Sequence, residues 1–324
     1  MTPALPAALR DAIARELEGV SRRDLAERAA RTSAAYRAGG GSAAVIRTRE
    51  DALAYALARL PATYAASAMA FAETTRRAPD FAPVTLLDAG SGPGAASWAA
   101  AETWPGLRHA TWLDASATFL DLARRLASEA TGALAAPREL RADLAAGGAW
   151  PAADLVVASY ALAEIAPEAL GRVVAGLWAA CLGVLALVEP GTPAGYGRIL
   201  AARQALIAAG ARLLAPCPHD GPCPLAPPDW CHFSVRLPRS RDHRLAKGAE
   251  VPFEDEKFAY LVAARPPVRA GPPASRILAP PRAGKGATVF KLCTAEGLEA
   301  RTVARRDKAA FARARRVGWG DPFA

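Results

Sequence analysis

The sequence is poor in sulfur and has no long apolar segment. Only 5 of its 324 residues are cysteine and 2 are methionine. No stretch of about eighteen apolar residues lacks a charge, so we expect no membrane-spanning helix. The first residues, MTPALPAALRDAIARELEG, mix acids and bases where a signal peptide would be apolar. We therefore expect a cytoplasmic protein, whose cysteines serve metal binding or catalysis rather than disulfides.

Acidic side chains are scarce near the C-terminus. Residues 265–324 carry 13 Lys/Arg against 4 Asp/Glu, whereas residues 1–264 are balanced, so the formal charge of +9 comes from the last segment alone. A basic end on a neutral body favours a polyanionic partner such as nucleic acid. A merely solubilising surface is the alternative.

The hydrophobic pattern divides the chain into three regions. Residues 1–80 are predicted to be a helical extension, with a capping signal from Thr48 to Asp51. Pro61 is predicted to interrupt the helix that follows.

Strand-like and helix-like segments then alternate through residues 81–215, which predicts a parallel sheet with helices on both faces. Residues 216–324 contain a cysteine loop, extended segments, a hairpin turning at Ala295–Gly297 and a basic C-terminal helix. This last region is predicted to complete the sheet.

A glycine-rich loop joins the first predicted strand of the middle region to a helix. It reads Asp88-Ala-Gly90-Ser-Gly92-Pro-Gly94, and glycines at these positions allow a tight turn and close approach of a ligand. The free N–H groups of the following helix would face a carboxylate or phosphate. A dinucleotide fits this design, with Ala95 ending the motif, and so does S-adenosylmethionine (SAM). A turn with no ligand is the third interpretation.

Three acidic residues favour SAM over a dinucleotide. Asp88 ends the first strand, where a methyltransferase places an acid near the methionine amino group. Asp114 ends the second strand and is suited to the ribose hydroxyls, which a dinucleotide enzyme would also bind. Asp143 follows the third strand, where such folds contact the adenine amino group.

The segment after the fourth strand contains no recognisable catalytic motif. It reads ASYALAE over residues 158–164, without the Asn/Asp-Pro-Pro-aromatic run of base amino-methylating enzymes and without a nucleophilic cysteine. Tyr160 and Glu164 are candidates for lining a pocket, although Tyr160 would equally suit a core. The catalytic residues therefore stay unknown at this point.

Three of the five cysteines lie within fifteen proline-rich residues. Cys217, Cys223 and Cys231 share this loop, and Cys293 lies in a later predicted strand. Prolines stiffen the loop, so less entropy is lost when a metal closes it. The remaining Cys181 is predicted to lie on an apolar helix, as a small buried hydrophobe.

Either zinc or a [4Fe–4S] cluster could use this four-cysteine set. Zinc sites commonly show close Cys-x2-Cys pairs, which are absent here, although His219 and His232 would suit zinc as additional ligands. Irregular spacing fits a [4Fe–4S] cluster slightly better. Reduced, unliganded thiols are the remaining alternative.

The chain resembles the methyltransferase-like family that associates with the small ribosomal subunit in mitochondria and bacteria. The resemblance extends from about residue 33 to the end. It is carried by the following segments: SAAYR, AYALARLPATYAA, LLDAGSGPGAASWAA, LVEPGTPAGY, CPHDGPCPL, DWCHFSVRLPRS, EDEKFAYLVAAR and RDKAAFARARRVGWGD.

This resemblance implies a SAM-binding fold that holds a [4Fe–4S] cluster and engages small-subunit ribosomal RNA. The cluster ligands would be Cys217, Cys223, Cys231 and Cys293, with the ribosome as the site of action. The arginines expected to track RNA phosphates are Arg236, Arg239, Arg241, Arg244, Arg301, Arg305, Arg306, Arg313, Arg315 and Arg316.

We therefore predict an α/β protein with a class I SAM-dependent methyltransferase (Rossmann-like) fold, an N-terminal helical extension and a C-terminal cysteine-bearing insert with a β-hairpin. Its predicted function is rRNA methylation or assembly of the small subunit. The alternative is a non-catalytic RNA-binding assembly factor with a zinc site. An NAD-dependent oxidoreductase is a third possibility, for which no hydride-transfer residues are recognisable.

Overall fold

An eight-stranded sheet forms the centre of the protein in a computed structural model, which describes residues 3–37, 40–42 and 45–323. Its strand order is β3-β2-β1-β4-β5-β8-β6, with β7 paired to the outer half of β8. The strands are β1 (Thr85–Ala89), β2 (His109–Asp114), β3 (Arg138–Arg141), β4 (Ala153–Ser159), β5 (Cys181–Pro190), β6 (Arg212–Ala215), β7 (Phe233–Pro238) and β8 (Phe253–Ala264).

The strand order identifies the fold. The first five strands are parallel in the order 3-2-1-4-5, and β8 runs antiparallel between β5 and β6. A parallel Rossmann-like half completed by one reversed strand is the sheet of class I methyltransferases. Residues 184–188 are completely buried because helices cover both faces. The predicted fold class is confirmed.

Helices cover the sheet in two layers. The core on one face is built mainly from α1 to α5, and the core on the other from α6 and α7. None of the helices in the described part of the chain has the length and apolarity needed to cross a membrane. The helices are α1 (Ala7–Glu16), α2 (Arg22–Arg37), α3 (Arg49–Arg77), α4 (Ala95–Thr103), α5 (Ala117–Leu126), α6 (Pro167–Ala180), α7 (Pro193–Ala208), α8 (Arg241–Lys247) and α9 (Lys308–Ala314).

The long helix α3 begins as predicted but does not break. Thr48 Oγ1 accepts a hydrogen bond from Asp51 N at 3.2 Å, and Asp51 Oδ2 accepts from Thr48 N at 3.0 Å. The predicted interruption at Pro61 is wrong, because α3 runs through it. Pro61 is buried between neighbouring elements, and packing on both sides holds the helix together despite the missing N–H.

A second, smaller sheet follows the main one. The predicted hairpin is confirmed as β11 and β12, turning at Ala295 and Glu296. Ile277, Phe290 and Leu292 are fully buried in a core of its own, which α9 covers. Helix α9 is shorter than the basic helix predicted for residues 307–321. The strands are β9 (Ser275–Ile277), β10 (Arg282–Ala283), β11 (Ala287–Thr294), β12 (Gly297–Ala304) and β13 (Pro322–Phe323).

Candidate cofactor and cysteine sites

The glycine loop lies at the carboxyl edge of the parallel sheet. Gly90 and Gly92 follow β1 with φ of +73° and +52°, and Gly94 caps α4 with φ of +85°. A Cβ at Gly90 would lie 2.5 Å from Ala161 Cβ, so this glycine allows the loop to pack against the segment after β4. A Cβ at Gly92 would meet nothing within 4 Å, so the outer side of the loop is open.

Asp88 points into the protein beneath this loop. It is 1% exposed, and its Oδ2 accepts hydrogen bonds from Ser97 N at 3.0 Å and Ser97 Oγ at 2.6 Å. Burial raises the pKa of Asp88 to about 7, although the bonds from Ser97 oppose that rise. Trp112 Nε1 also donates to Ser97 Oγ at 3.0 Å. Asp88 therefore ties β1 to the start of α4, with no solvent-facing contact of its own.

Asp114 fixes the open side of the loop. Its Oδ2 accepts from Gly92 N at 2.8 Å and its Oδ1 from Ser116 N at 2.8 Å, while burial raises the pKa of this carboxyl. Asp143 is exposed after β3 and accepts from Ala145 N at 2.8 Å. The six predicted cofactor residues thus lie at or after the carboxyl ends of three neighbouring strands, β1, β2 and β3.

Tyr160, directly after β4, has an unusual backbone. Its φ of +59° is the single left-handed value of a non-glycine residue in the described ranges. Its N–H donates to Val188 O at 2.7 Å, and its hydroxyl donates to Glu256 Oε1 at 2.6 Å. The guanidinium of Arg59 lies 5.9 Å from its ring centroid. Three contacts therefore hold this ring in place.

The Tyr160 ring packs against the hydrophobic core and also lines a cavity of about 1060 Å³. Helices α2, α3 and α8 and the turns after β4 and β5 surround it, and Tyr36, Tyr55 and Arg59 contribute to its wall. Glu164 lies beside it and accepts from Tyr36 Oη at 2.9 Å and from Ser42 Oγ at 2.8 Å. The N-terminal helices therefore form one wall of a space next to the glycine loop.

The structure brings together all four predicted metal ligands. Cys217, Cys223, Cys231 and Cys293 line one small cavity of about 30 Å³ between α7, the cysteine loop, β8 and β11. Cys181 is 1% exposed and takes no part, as predicted, but it is the first residue of β5 and the prediction that it lies on a helix is wrong, because α6 ends at Ala180.

Few protein groups satisfy these thiols. Arg203 Nε donates to Cys217 Sγ at 3.4 Å, and Tyr196 Oη lies 3.3 Å from Cys223 Sγ. His219 Nε2 lies 3.8 Å from Cys293 Sγ. Burial raises the pKa of Cys293 to about 12. Within the described residues, no group of three or more His, Cys, Asp or Glu is arranged to hold a single metal ion.

Comparison with known proteins places these features in a family. The model of a family described as "Mitochondrial small ribosomal subunit Rsm22" matches residues 49–324, most of the chain. This protein belongs to the Rsm22 family. The predicted resemblance is confirmed.

One curated relative is the human "Ribosome assembly protein METTL17, mitochondrial". It is 32% identical over 226 residues, which is 66% of this Rsm22-family chain and 48% of the relative. The chain thus spans about half the length of its human relative.

Among solved structures, the SAM-bound magnesium protoporphyrin IX methyltransferase of Synechocystis PCC 6803 is 16% identical, over 68% of this chain and 85% of that chain, with a TM-score of 0.40. Precorrin-6y C5,15-methyltransferase of Geobacter metallireducens GS-15 is 14% identical, over 61% and 86%, also with a TM-score of 0.40. We draw no conclusion from similarities of this size, because the strand order alone already identifies the fold.

Several arginines that were predicted to contact RNA are paired with carboxylates, so the unpaired basic surface of this Rsm22-family protein is smaller than the sequence predicts. Arg236 pairs with Asp255, Arg239 with Glu254, and Arg301 with Glu299. In contrast, the following side chains around α9 are exposed and form no ion pair within the described ranges: Arg305, Arg306, Lys308, Arg313, Arg315 and Arg316.

Sequence reasoning missed the residues that surround both sites. Tyr196 and Arg203 contact the thiols from α7, seven positions apart and therefore on one helix face. The seven-residue spacing can be read from the sequence, but nothing in the sequence indicates that the cysteine loop covers this face of α7. Arg59 lies on α3, about a hundred residues before Tyr160, and no local pattern connects the two.

Proposed function

We propose that this protein binds SAM at the glycine loop and acts in assembly of the small ribosomal subunit. The single observation that carries the cofactor assignment is the open glycine loop whose Gly92 N–H is held by Asp114 at the carboxyl edge of a class I methyltransferase sheet. The role in assembly is supported by the family and by the name of the human relative. The match covers only 48% of that relative, so its role is carried over as part of the proposal.

The residues divide the work of binding SAM between them. Gly90, Gly92 and Gly94 offer backbone without side chains, and the N-terminus of α4 offers free N–H groups to the methionine carboxylate. Asp114 would accept the ribose hydroxyls, and Asp143 would accept the adenine amino group. Asp88 acts indirectly, because its buried carboxylate holds the loop to Ser97.

A titration with S-adenosylhomocysteine, followed by calorimetry, tests this assignment. We expect binding by the wild-type protein and about tenfold weaker binding by Asp114→Asn, which keeps the shape but loses the charge that strengthens ribose hydrogen bonds. Asp121→Asn is the matched control, since Asp121 is an exposed acid on α5. Binding of NAD in preference to S-adenosylhomocysteine would point to the dinucleotide alternative.

The four thiols around one cavity support a bound [4Fe–4S] cluster as our proposal, with zinc as the alternative. A tetrahedral zinc ion with Zn–S bonds of about 2.3 Å draws four sulfurs to about 3.8 Å from one another. The described thiols surround one cavity without forming such a single-ion arrangement. A four-iron cluster is larger and is bound by four thiolates spread around it. Arg203 and buried Arg276 line the same cavity and would balance the negative charge of bound thiolates.

A bound cluster would supply a crosslink between the cysteine loop and β11. Cys217, Cys223 and Cys231 lie in one loop, and Cys293 lies in the second sheet. The chain's own contribution is to enclose the thiols, to exclude water and to set Arg203 against Cys217. The cluster would therefore fasten the second sheet, with its exposed arginines, to the main sheet.

Iron, zinc and acid-labile sulfide analysis of anaerobically purified protein tests the metal. We expect iron and sulfide with a brown absorption in the wild type, and loss of both in Cys293→Ser. Cys181→Ser is the control, because Cys181 lies in the core away from the cavity. Zinc without sulfide would favour the zinc alternative, and metal-free protein with full stability would reject both.

Whether the protein methylates rRNA or acts in assembly without catalysis is a separate question from whether it binds SAM. The methyltransferase fold supports rRNA methylation, while the name of the human relative favours assembly. Comparing methyl marks on small-subunit rRNA from deletion and parent strains separates the two. A mark that disappears in the deletion strain and returns with the wild-type gene supports methylation. Unchanged marks together with accumulated immature subunits support assembly without catalysis.

A further inference from the structure

The cavity of about 1060 Å³ lies directly beside the glycine loop. Two consecutive residues after β4 connect the cavity with the loop. Ala161 packs against Gly90 of the glycine loop, and Tyr160 lines the cavity. The turn after β5 contributes Pro190 and Thr192 to the same wall. A group bound here would therefore sit next to a ligand on the glycine loop, as a direct transfer between two bound molecules requires.

The Tyr160 backbone indicates that its ring position matters. A left-handed φ in a non-glycine residue is strained, and such residues concentrate at functional sites. Here Val188 O and Glu256 Oε1 hold the main chain and the hydroxyl, respectively. The contacts fix the ring where it packs on the core and forms part of the cavity wall.

The wall of the cavity is rich in flat side chains. Tyr36 and Tyr55 have ring centroids 6.3 Å apart, and Tyr160 lies beneath the guanidinium of Arg59. Arg59 forms no ion pair or hydrogen bond with a residue in the described ranges. Tyrosine rings and an uncommitted guanidinium plane are the groups on which nucleobases stack.

Half of the cations that line the cavity are already paired with carboxylates. Arg198 is paired with buried Glu189 at 2.7 Å, and Lys247 is paired with Glu254. Arg37 and Arg59 also line the cavity and form no ion pair among the described residues. The aromatic wall, rather than the balance of charge, favours recognition of a flat ring.

We propose that this cavity binds the planar ring of a single nucleobase, stacked on the tyrosines and on Arg59 beside the cofactor. The inference rests on the proposed cofactor site, because it assigns the acceptor side of that site. The cavity volume is at the upper end of ordinary ligand pockets, so a complete nucleoside fits. The same chemistry serves a free nucleoside and a base unstacked from RNA.

Ligand-observed NMR with the four ribonucleosides tests the proposal. The protein is first saturated with S-adenosylhomocysteine, so that adenosine cannot occupy the glycine loop, and ribose 5-phosphate serves as the base-free comparator. We expect at least one nucleoside, but not ribose 5-phosphate, to bind. Arg59→Met should weaken that binding about tenfold and Arg59→Lys by a smaller factor, because lysine keeps the charge without the plane. Arg49→Met on the outside of α3 is the control.

The outcomes separate this inference from the cofactor assignment. Nucleosides that bind only in the absence of S-adenosylhomocysteine, or equally to wild type and both Arg59 variants, would overturn the cavity proposal. Failure of S-adenosylhomocysteine to bind would instead overturn the cofactor assignment, while nucleoside binding that Arg59→Met removes would still support the cavity. Circular dichroism of each variant shows that the fold is retained. Comparing an intact with an abasic single-stranded oligonucleotide then distinguishes a base in RNA from a free nucleoside.

Discussion

Ser97 and Ser91 lie close together in the chain, but their hydroxyl groups differ in hydrogen bonding. Ser97 Oγ donates to the buried Asp88 and accepts from Trp112, whereas Ser91 Oγ is buried without a hydrogen-bond partner in the described ranges. We therefore expect Ser97→Ala to lower the free energy of unfolding by about 1–3 kcal/mol, because it leaves the indole N–H of Trp112 without a partner and removes one of the two hydrogen bonds to the buried carboxyl of Asp88.

Urea denaturation of both serine variants measures this difference. Ser91→Ala is the matched control and should change the free energy of unfolding by less than about 0.5 kcal/mol. Equal destabilisation by the two substitutions would contradict the structural role assigned to Asp88.

Glu254 provides a pH-dependent test at the same scale. Although burial raises its pKa, hydrogen bonds from His243 and Lys247 lower the pKa to about 2 from an ordinary 4.5. The stabilisation is therefore complete above pH 4.5 and is lost as the pH falls towards 2. We expect Glu254→Gln to lower the free energy of unfolding by about 2 kcal/mol at pH 7 and by progressively less below pH 4.5.

Thermal denaturation of Glu254→Gln between pH 3 and pH 7 tests this dependence. The exposed Glu18 is the control, since it forms no ion pair among the described residues and Glu18→Gln should leave the curve unchanged. A deficit of constant size across this pH range would show that the carboxylate charge is not the cause.

At the scale of single residues, the sequence indicates which residues come together where they lie near one another in the chain or carry a family signature. The glycine loop and Asp114 belong to the first kind and the four cysteines to the second. Arg59, Arg203 and Arg276 were not predicted, because each meets its partner through tertiary contacts between distant segments. Their charges could not be distinguished by sequence from those of solvated arginines.

Among the elements, helix α3 carries the clearest local signal. Thr48 caps it through its side chain, whereas Thr131 occupies the same position before a short helix without such a bond. We expect Thr48→Ala to lower the free energy of unfolding by about 1 kcal/mol and Thr131→Ala to change it by a few tenths at most. Guanidinium denaturation of both variants provides the comparison, and an equal loss in both would rule out the capping bond as the cause.

Element boundaries followed from periodicity, but pairing between elements did not. The apolar run FAYLVAAR predicted a strand, yet nothing in it indicated insertion between β5 and β6. Pro61 likewise predicted a break that tertiary packing removes. Local propensity decides whether a segment can be a strand or a helix, and burial against distant segments decides where it goes.

At the scale of the whole molecule, the positive charge is concentrated on one exposed end. Replacing Arg313, Arg315 and Arg316 with glutamine should lower the salt dependence of RNA binding, reducing the slope of log K against log[salt] by about 2. Each cation that contacts a phosphate displaces counterions from the RNA. A variant with three fewer cations therefore releases fewer counterions on binding.

Filter binding with small-subunit rRNA at several salt concentrations measures this slope. A control variant with glutamine at Arg10, Arg108 and Arg138 removes the same charge from exposed positions elsewhere. If both triple variants change the slope equally, net charge rather than the surface around α9 governs the interaction.

The reversed strand β8 has a consequence for the order of events during synthesis. β6 lies at the sheet edge and pairs with β8 alone among the described strands, although the cysteine loop and β7 come between them in the chain. Both β5 and β6 therefore lack their β8 partner in a nascent chain until residue 264, the end of β8, has left the ribosome. Domains fold as units while they emerge. The protein that we propose helps to build ribosomes would itself depend on its own translation running almost to completion before its sheet can close.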